Sequence, residues 1–375
     1  MCKIVILSTV HHYKDARIFK EISSLKKKYS DIYFIVPIDK QQEKFTENGI
    51  SIIPLPFPKT RKQRLLIQKE AYKIIKTLQP DILHFHDPEL MLLAYWIKRK
   101  QNLKVIFDIH ENVAGAIKDS DWLPNFLRPI VSNLYKRIEK KIISKFDAII
   151  IAETSYRKIY GEKAIELLNF PKLPKTENKI IHKSFKQPIT FVYSGMIWER
   201  RGIFKMLALI KTLYDNNYKI RFNLIGPFAS KKLENQVKVF ILENGLSEII
   251  TIYGRKPFYE MLEILSKSHI GLALLENIEN YRESLSSKIF DYMSMGLPYL
   301  VSNFKIYDNF TVKAKTGITV NYSDDKEIYS KAVELISNDD LMKEMSINGQ
   351  RKVKTQWNWE TQEKKLLNLY TQLGC

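Results

Sequence analysis

Cysteine is almost absent from this chain of 375 residues: only Cys2 and Cys375 occur, one near each end. That excludes a disulfide framework and a thiolate metal site, and reduced thiols are the expectation. Long hydrophobic runs are also missing. No stretch approaches the roughly 18 uninterrupted apolar residues that a membrane-spanning helix needs. The opening MCKIVILSTV runs from an apolar strand straight into His11 and His12 without a small-residue cleavage site, so no secretory leader is expected and the reading is cytoplasmic. Neither first strand-to-helix turn carries GxGxxG, which removes the phosphate-hugging glycines of NAD-type binding. No low-complexity tract and no repeat at a solenoid period is present.

Acidic residues are outnumbered, 41 Asp+Glu against 60 Lys+Arg, for a formal net charge of +19. The excess is uneven: residues 1–185 carry +14 of it, leaving +5 for the rest. A strongly basic face seeks phosphate, in nucleic acid, in anionic lipid headgroups or in a phosphorylated substrate. The basic residues fall on two amphipathic stretches, KTRKQRLLIQKEAYKIIKTL (59–78) and FLRPIVSNLYKRIEKKIISKF (126–146). In the second, Ile130, Leu134, Ile138 and Ile142 repeat every four residues among Lys136, Arg137, Lys140, Lys141 and Lys145. Such a pattern fits a solvated helix face with snorkelling lysines, and equally an interfacial contact with an anionic membrane.

Apolar content of 45% and charged content of 27% are those of a globular protein, and the length calls for two domains. Short apolar runs alternate with helical stretches: residues 3–8, 31–37, 81–86, 104–109 and 147–152, then, after a break, 189–195, 220–226, 249–254, 270–276 and 298–303. Strand, helix, strand is the rhythm of parallel α/β sheets. The break, NFPKLPKTENKIIHKSFKQP (169–188), is rich in proline and lysine and reads as a linker. The chain is therefore α/β, with two Rossmann-like doubly wound domains: residues 1–180, residues 189–355, and a last helix in 356–375 expected to cross back to the first. Ligands belong outside the carboxyl ends of the strands, in a cleft between such sheets.

Four polar clusters follow strand ends. In STVHHYKDARIF (8–19), His11, Asp15 and Arg17 could hold an acceptor hydroxyl or a phosphate, or Asp15 could simply cap the next helix. In HFHDPEL (84–90), His84 and His86 alternate on one strand face ahead of Asp87 and Glu89. No HExxH spacing accompanies them, so a buried, hydrogen-bonded pair is expected rather than a metal site. In FDIHEN (107–112), His110 follows an apolar strand beside Glu111, placed to meet a sugar hydroxyl. In YSGMIWERRG (193–202), Gly195 ends a strand and Arg200 and Arg201 precede a helix, which suits a diphosphate.

The segment ESLSSKIFDYMSMGLP (283–298) carries most. Ser286 or Ser287 is placed to cap a helix, and Gly296 followed by Pro298 stops it. Glu283, in the preceding loop, can reach sugar hydroxyls, and Asp291, one turn inside the helix, can accept from a ribose. The N–H groups between them can hold a diphosphate. An ordinary capped amphipathic helix would show the same punctuation.

Taken together and in this order, HDPEL, FDIHEN, YSGMIWERRG, ESLSSKIFDYMSMGLP and the terminal WNWE (357–360) resemble the retaining GT-B glycosyltransferases of family 4, the group 1 enzymes of bacterial surface polysaccharide synthesis. The resemblance spans nearly the whole chain. It implies a hexosyltransferase that uses a nucleotide sugar, a UDP-sugar first, and a glycan or polyprenyl-linked acceptor. It further implies that Glu283 contacts the donor sugar, Asp291 the ribose, Arg201 the diphosphate and His110 the sugar near the reacting carbon. Gly195, Arg200, Gly226, Ser286, Ser287 and Lys288 complete the expected donor site, and His11, Asp15, Arg17, His86 and Glu111 the expected acceptor side. Two positions depart from the family pattern: Asp291 stands where Glu is usual, and Met196 where many relatives place a basic residue. No metal or other cofactor is expected, basic side chains neutralising the leaving diphosphate instead. Peripheral contact with the inner face of the plasma membrane is expected and nucleic acid is not. A nucleotide-sugar epimerase of the same architecture and a non-catalytic polyanion-binding protein are the competing readings.

Overall fold

The structure is a computed structural model that describes residues 2–38, 43–58, 60–118, 120, 123–173 and 180–375. The chain divides into two compact units, Met1–Asn169 with Glu360–Cys375, and Phe170–Trp359. Residues 170–173 and 180, placed with the first domain by sequence, thus group with the second. Of the expected linker, residues 174–179 lie outside the described residues, as does Lys59 at the start of the first basic stretch.

The first unit contains β1 (Lys3–Leu7), α1 (Ala16–Leu25), β2 (Asp31–Ile38), β3 (Phe45–Glu47), β4 (Ile50–Pro56), α2 (Arg61–Leu78), β5 (Ile82–Phe85), α3 (Met91–Lys100), β6 (Lys104–Ile109), α4 (Val113–Lys118), α5 (Arg128–Ile143), β7 (Ala148–Ile151), α6 (Arg157–Tyr160) and β8 (Ile165–Glu166). The strands form one sheet in the order β3-β4-β2-β1-β5-β6-β7-β8, parallel except for the β3–β4 pair. Helices cover a parallel sheet on both faces, which is why β1 reads KIVIL and the residues from Ile4 to Leu7 are all buried. Over this sheet, α1 lays Ile18, Ile22 and Leu25, spaced four and three residues apart and each fully buried. Burial of that size stabilises by about 1.5–3 kcal/mol per side chain.

The second unit contains β9 (Ile189–Ser194), α7 (Ile203–Asp215), β10 (Ile220–Ile225), α8 (Lys231–Glu243), β11 (Ile250–Gly254), α9 (Phe258–Ser266), β12 (Ile270–Ala273), α10 (Glu279–Glu283), α11 (Lys288–Ser294), β13 (Tyr299–Ser302), β14 (Ile318–Val320), α12 (Asp325–Ile336) and α13 (Asp339–Thr355). Its sheet runs β11-β10-β9-β12-β13-β14, all parallel. The order reverses direction beside β9, so the carboxyl ends of β9 and β12 form the switch point where a ligand is accommodated in such sheets.

The last helix, α14 (Trp359–Gln372), belongs from Glu360 onward to the first unit. Leu366, Leu369 and Tyr370 are buried there, and Glu363 accepts from Ser24 Oγ at 2.6 Å and from Lys27 Nζ at 2.6 Å. This packing corrects the expectation for the cysteines. Cys2, just ahead of β1, and Cys375, just past α14, are brought to a Cα separation of 5.5 Å and are joined as a disulfide. Their distance in sequence concealed a neighbourhood that only the return of α14 creates.

Candidate active site

In the second unit, the carboxyl ends of β9 and β10 come together through two glycines. Gly195 (φ +125°) donates its N–H to the carbonyl of Ile225, and a Cβ added at Gly226 (φ +140°) would lie 1.9 Å from the Gly195 carbonyl oxygen. Gly226 is therefore required by the close approach of the chain to itself, and Gly195 by its positive φ. Beyond them, Arg201 and Lys288 line a cavity of about 180 Å³ together with Tyr281, Ser284, Ser286 and Ser287. Arg200, expected to share the diphosphate, is exposed and lies 5.8 Å over the ring of Trp198. Lys288 is buried, donates to Ser286 Oγ at 3.0 Å and sits 5.3 Å over the Tyr193 ring. Burial, then the Arg201 charge, lowers its pKa to about 7.

Three sequence expectations for this segment change. Ser287 is the N-cap of α11, yet neither its side chain nor that of Ser286 makes the capping bond. Ser286 Oγ instead accepts from Lys288, and the Ser286 N–H goes to Tyr307 Oη at 3.2 Å. Glu283 is the final residue of α10 and not a loop residue. Asp291 is in the first turn of α11 as expected, half-buried. Glu283 and Asp291 flank the cavity-lining run in sequence, and residues 284–288 between them form part of its wall.

In the first unit, the carboxyl ends of β1, β5 and β6 carry His11, Asp87 and His110 around a cavity of about 290 Å³ that also meets Arg64, Glu89 and Glu111. Asp87 braces the β1 loop: its Oδ2 accepts from Ser8 Oγ at 2.9 Å and from the Val10 N–H at 3.2 Å, and its Oδ1 lies 3.3 Å from His11 Nε2. His11 also meets Asp15 Oδ2 at 3.5 Å. Burial opposes a charge on His11, but Asp15 and Asp87 outweigh it and raise its pKa. Asp15 caps α1, accepting from the N–H groups of Arg17 at 3.0 Å and Ile18 at 3.1 Å. His86 also lines the cavity, although only 1% of it is exposed.

Arg17 is not an acceptor-side residue in this structure. It is buried, with Nη2 2.9 Å from Asp108 Oδ1, Nη1 2.7 Å from the Leu167 carbonyl and Nε 3.1 Å from Glu21 Oε1. The pair lies in a closed cluster with His84 and His86, whose Nε2 atoms stand 4.0 and 3.9 Å from Glu21 Oε2. His84 Nδ1 meets the Tyr370 hydroxyl at 2.8 Å and His86 Nδ1 meets His110 Nε2 at 3.2 Å, so the buried, hydrogen-bonded pair expected from the sequence is present, as two rings stacked 4.7 Å apart with separate partners. Burial opposes ionisation of Asp108, but Arg17 holds its pKa well below the usual carboxylate range. Burial, reinforced by Asp108, pushes the Glu21 pKa well up. Glu21, His84, His86 and Asp108 have the donor set of a divalent-ion site, with ligand atoms within 4.8 Å of one another. Arg17 already supplies the cation, however. With Asp108 ionised and Glu21 neutral the closed cluster is charge-balanced, and a dication would unbalance it.

Two family models match the chain in succession: "Glycosyltransferase Family 4" over residues 22–162 and "Glycosyl transferases group 1" over residues 174–352. The chain belongs to the group 1 glycosyltransferases. The transferase is 18% identical over 367 residues to the capsular polysaccharide biosynthesis glycosyltransferase CapM of Staphylococcus aureus, covering 92% of this chain and 91% of that one. It is 19% identical over 363 residues, 91% and 90% of the two chains, to the N,N'-diacetylbacillosaminyl-diphospho-undecaprenol alpha-1,3-N-acetylgalactosaminyltransferase of Campylobacter jejuni. Among solved structures, Anabaena HepE in complex with UDP-glucose superposes with a TM-score of 0.74 at 10% identity, covering 99% of this chain and 100% of that one. The fold of the transferase is GT-B.

Sequence reading passed over Asp108, Glu21 and Arg64. A signal existed for the first: an Asp inside the otherwise apolar run of β6 must be partnered if it is buried. Nothing local marks Glu21, one acidic residue in a polar helix, because its burial follows from α1 facing β5 and β6.

Proposed function

We propose that this glycosyltransferase moves a hexose from a UDP-sugar to a glycan or polyprenyl-linked acceptor in surface polysaccharide synthesis, with retention and without a metal ion. The observation that carries the donor half of the reading is the cavity where Arg201 and the buried Lys288 converge beside the switch point of the second sheet. As the glycosidic bond breaks, the departing diphosphate gains negative charge, and preorganised cations stabilise that state more than the ground state. A lysine with a pKa near 7 is drawn to its charged form by an arriving diphosphate. Glu283 is proposed to hold the sugar, Asp291 the ribose and His110 the sugar near the reacting carbon, with the first-unit cavity taking the acceptor. The HepE structure holds UDP-glucose, CapM is named for capsular polysaccharide and the Campylobacter relative for an undecaprenol-linked acceptor. Those names support the substrate classes proposed for this chain.

Membrane contact is part of the proposal. Among the described residues no helix is long and apolar enough to cross a membrane. The α5 stretch nevertheless exposes Phe126 (72%), Ile130 (61%), Leu134 (57%) and Ile138 (42%) in a row among lysines and arginines. Ile142, the fourth member of the sequence repeat, turns inward and is buried. An apolar row with basic flanks suits an anionic leaflet. Sedimentation with vesicles of anionic phospholipid, and its loss in Ile130→Ser/Leu134→Ser with the fold intact, tests this part.

The donor reading is tested by thermal shift with UDP, GDP, ADP and their sugar conjugates, with and without EDTA. Stabilisation by UDP compounds that survives EDTA and disappears in Arg201→Ala is expected. Folded protein indifferent to every nucleotide would count against the donor assignment.

A further inference from the structure

We propose that Asp108 is a positioning residue that locks His110 with its proton on Nε2, so that the cavity meets Nδ1 as a hydrogen-bond acceptor. His110 Nε2 lies 3.3 Å from Asp108 Oδ2 and 3.2 Å from His86 Nδ1. His86 Nδ1 is farther from the same carboxylate oxygen, at 3.5 Å. A hydrogen bond between the two nitrogens, 3.2 Å apart, takes one proton and one lone pair. Placed on His110 Nε2, it points at the carboxylate and at the lone pair of His86 Nδ1. Placed on His86 Nδ1, it would leave the shorter His110–Asp108 contact as lone pair against carboxylate oxygen. The geometry therefore favours the first arrangement.

Asp108 is suited to this role because it is itself fixed. Arg17 spans both its oxygens, with Nη2 at 2.9 and 3.0 Å and Nε at 3.2 Å, and the whole pair is buried. Against the opposing effect of burial, Arg17 keeps the carboxylate ionised, an acceptor that cannot become a donor. Charged or titratable groups facing the cluster include Glu21 from α1, His84 from β5 and His86 just after it, Tyr370 from α14, Asp87, Glu153, and His11, whose ring lies 5.3 Å from that of His110. None of these contacts His110 Nδ1, which has no partner among the described residues. His110 lines the cavity with 18% of its side chain exposed. The chemical consequence is selective: this ring accepts from a hydroxyl and cannot donate to a carbonyl or a phosphoryl oxygen. The tautomer is a property of the ligand-free protein, and only its use toward a sugar hydroxyl rests on the transferase reading.

The test is long-range 1H–15N correlation on the full chain labelled with 15N-histidine, His110 being assigned by its loss in His110→Gln. The wild type is expected to show His110 protonated at Nε2 with Nδ1 bare. In Asp108→Asn, Arg17 has only donors and takes the amide oxygen, turning the amide NH2 toward His110, so the proton should move to Nδ1. His86→Leu removes the competing nitrogen and should leave Nε2–H in place. A wild-type ring protonated at Nδ1, an even mixture of tautomers, or a proton that leaves Nε2 in His86→Leu overturns the proposal. So does a folded Asp108→Asn with an unchanged ring. Should Asp108→Asn fail to fold, the wild-type and His86→Leu spectra still decide it. No donor or acceptor is needed, so failure here is distinguishable from failure of the proposed transfer.

Discussion

Both units carry arginines and carboxylates near the carboxyl ends of their strands, yet they use them in opposite ways. In the first unit Arg17 is consumed by Asp108, Glu21 and the Leu167 carbonyl, and Asp15 by the cap of α1. In the second, Arg201 and Lys288 line a cavity. A charge beside a strand end is available to a ligand only if the fold has not already engaged it. That distinction separates the two halves more sharply than their similar sheets do.

The largest effect is expected from exchanging the two arginines' fates. Arg17→Met leaves Asp108 buried without its partner, which costs about 3–5 kcal/mol. Arg201→Met removes a side chain from a cavity wall and should change stability by no more than about 0.5 kcal/mol, while abolishing stabilisation by UDP. Urea unfolding and UDP-dependent thermal shift on both variants check this. Equal destabilisation by the two would erase the contrast.

A smaller effect follows from Lys288. Burial and Arg201 lower its pKa from the ordinary 10.5 to about 7. Between these values the unfolded chain binds one more proton than the folded one, so this group makes stability rise with pH across that window. A bound diphosphate favours the ammonium and reverses the preference. Thermal stabilisation by UDP should therefore shrink between about pH 6 and about pH 9, and the decline should flatten in Lys288→Gln.

Glu21 gives the converse sign. Its folded pKa is raised well above the ordinary value, first by burial and then by Asp108. The folded state holds a proton that the unfolded state has released, so stability falls as pH rises above the unfolded value. Asp108, depressed by Arg17, works oppositely and loses its contribution on acidification. Glu21→Gln copies the neutral form, and its melting temperature should exceed that of the wild type at alkaline pH while approaching it as pH falls to the ordinary glutamate pKa of 4.5. A large loss at both pH values would place a full negative charge on Glu21.

How much of this was legible follows from where the information resides. Among the described residues, ten strands were readable as apolar runs because parallel strands are buried on both faces. Four were not: β3, β8 and β14 are two or three residues long, and β4, ISIIPLP, contains two prolines that lower its strand signal. The segments bearing His11, His110, Arg201 and Lys288 were legible because polar residues there interrupt strong periodicity. Which of those residues the fold engages internally was not. Arg17 and Arg200 read alike in sequence, but one is sealed under α1 and the other lies exposed over Trp198. The Cys2–Cys375 link was hidden for the same reason, being a product of tertiary return.

The smallest expected effect tests that lesson on two caps that sequence alone treats as equals. Asp15 opens α1 and its carboxylate accepts from two backbone N–H groups. Ser287 opens α11 with no side-chain capping bond. Asp15→Ala should therefore destabilise by about 1 kcal/mol, with a further contribution from the lost His11 contact at pH values where His11 is charged. That contribution fades as pH rises through the raised His11 pKa. Ser287→Ala should leave urea unfolding within about 0.5 kcal/mol of the wild type. If Ser287→Ala instead equals Asp15→Ala, the serine caps its helix in solution, and the α11 start regains the role its sequence suggests.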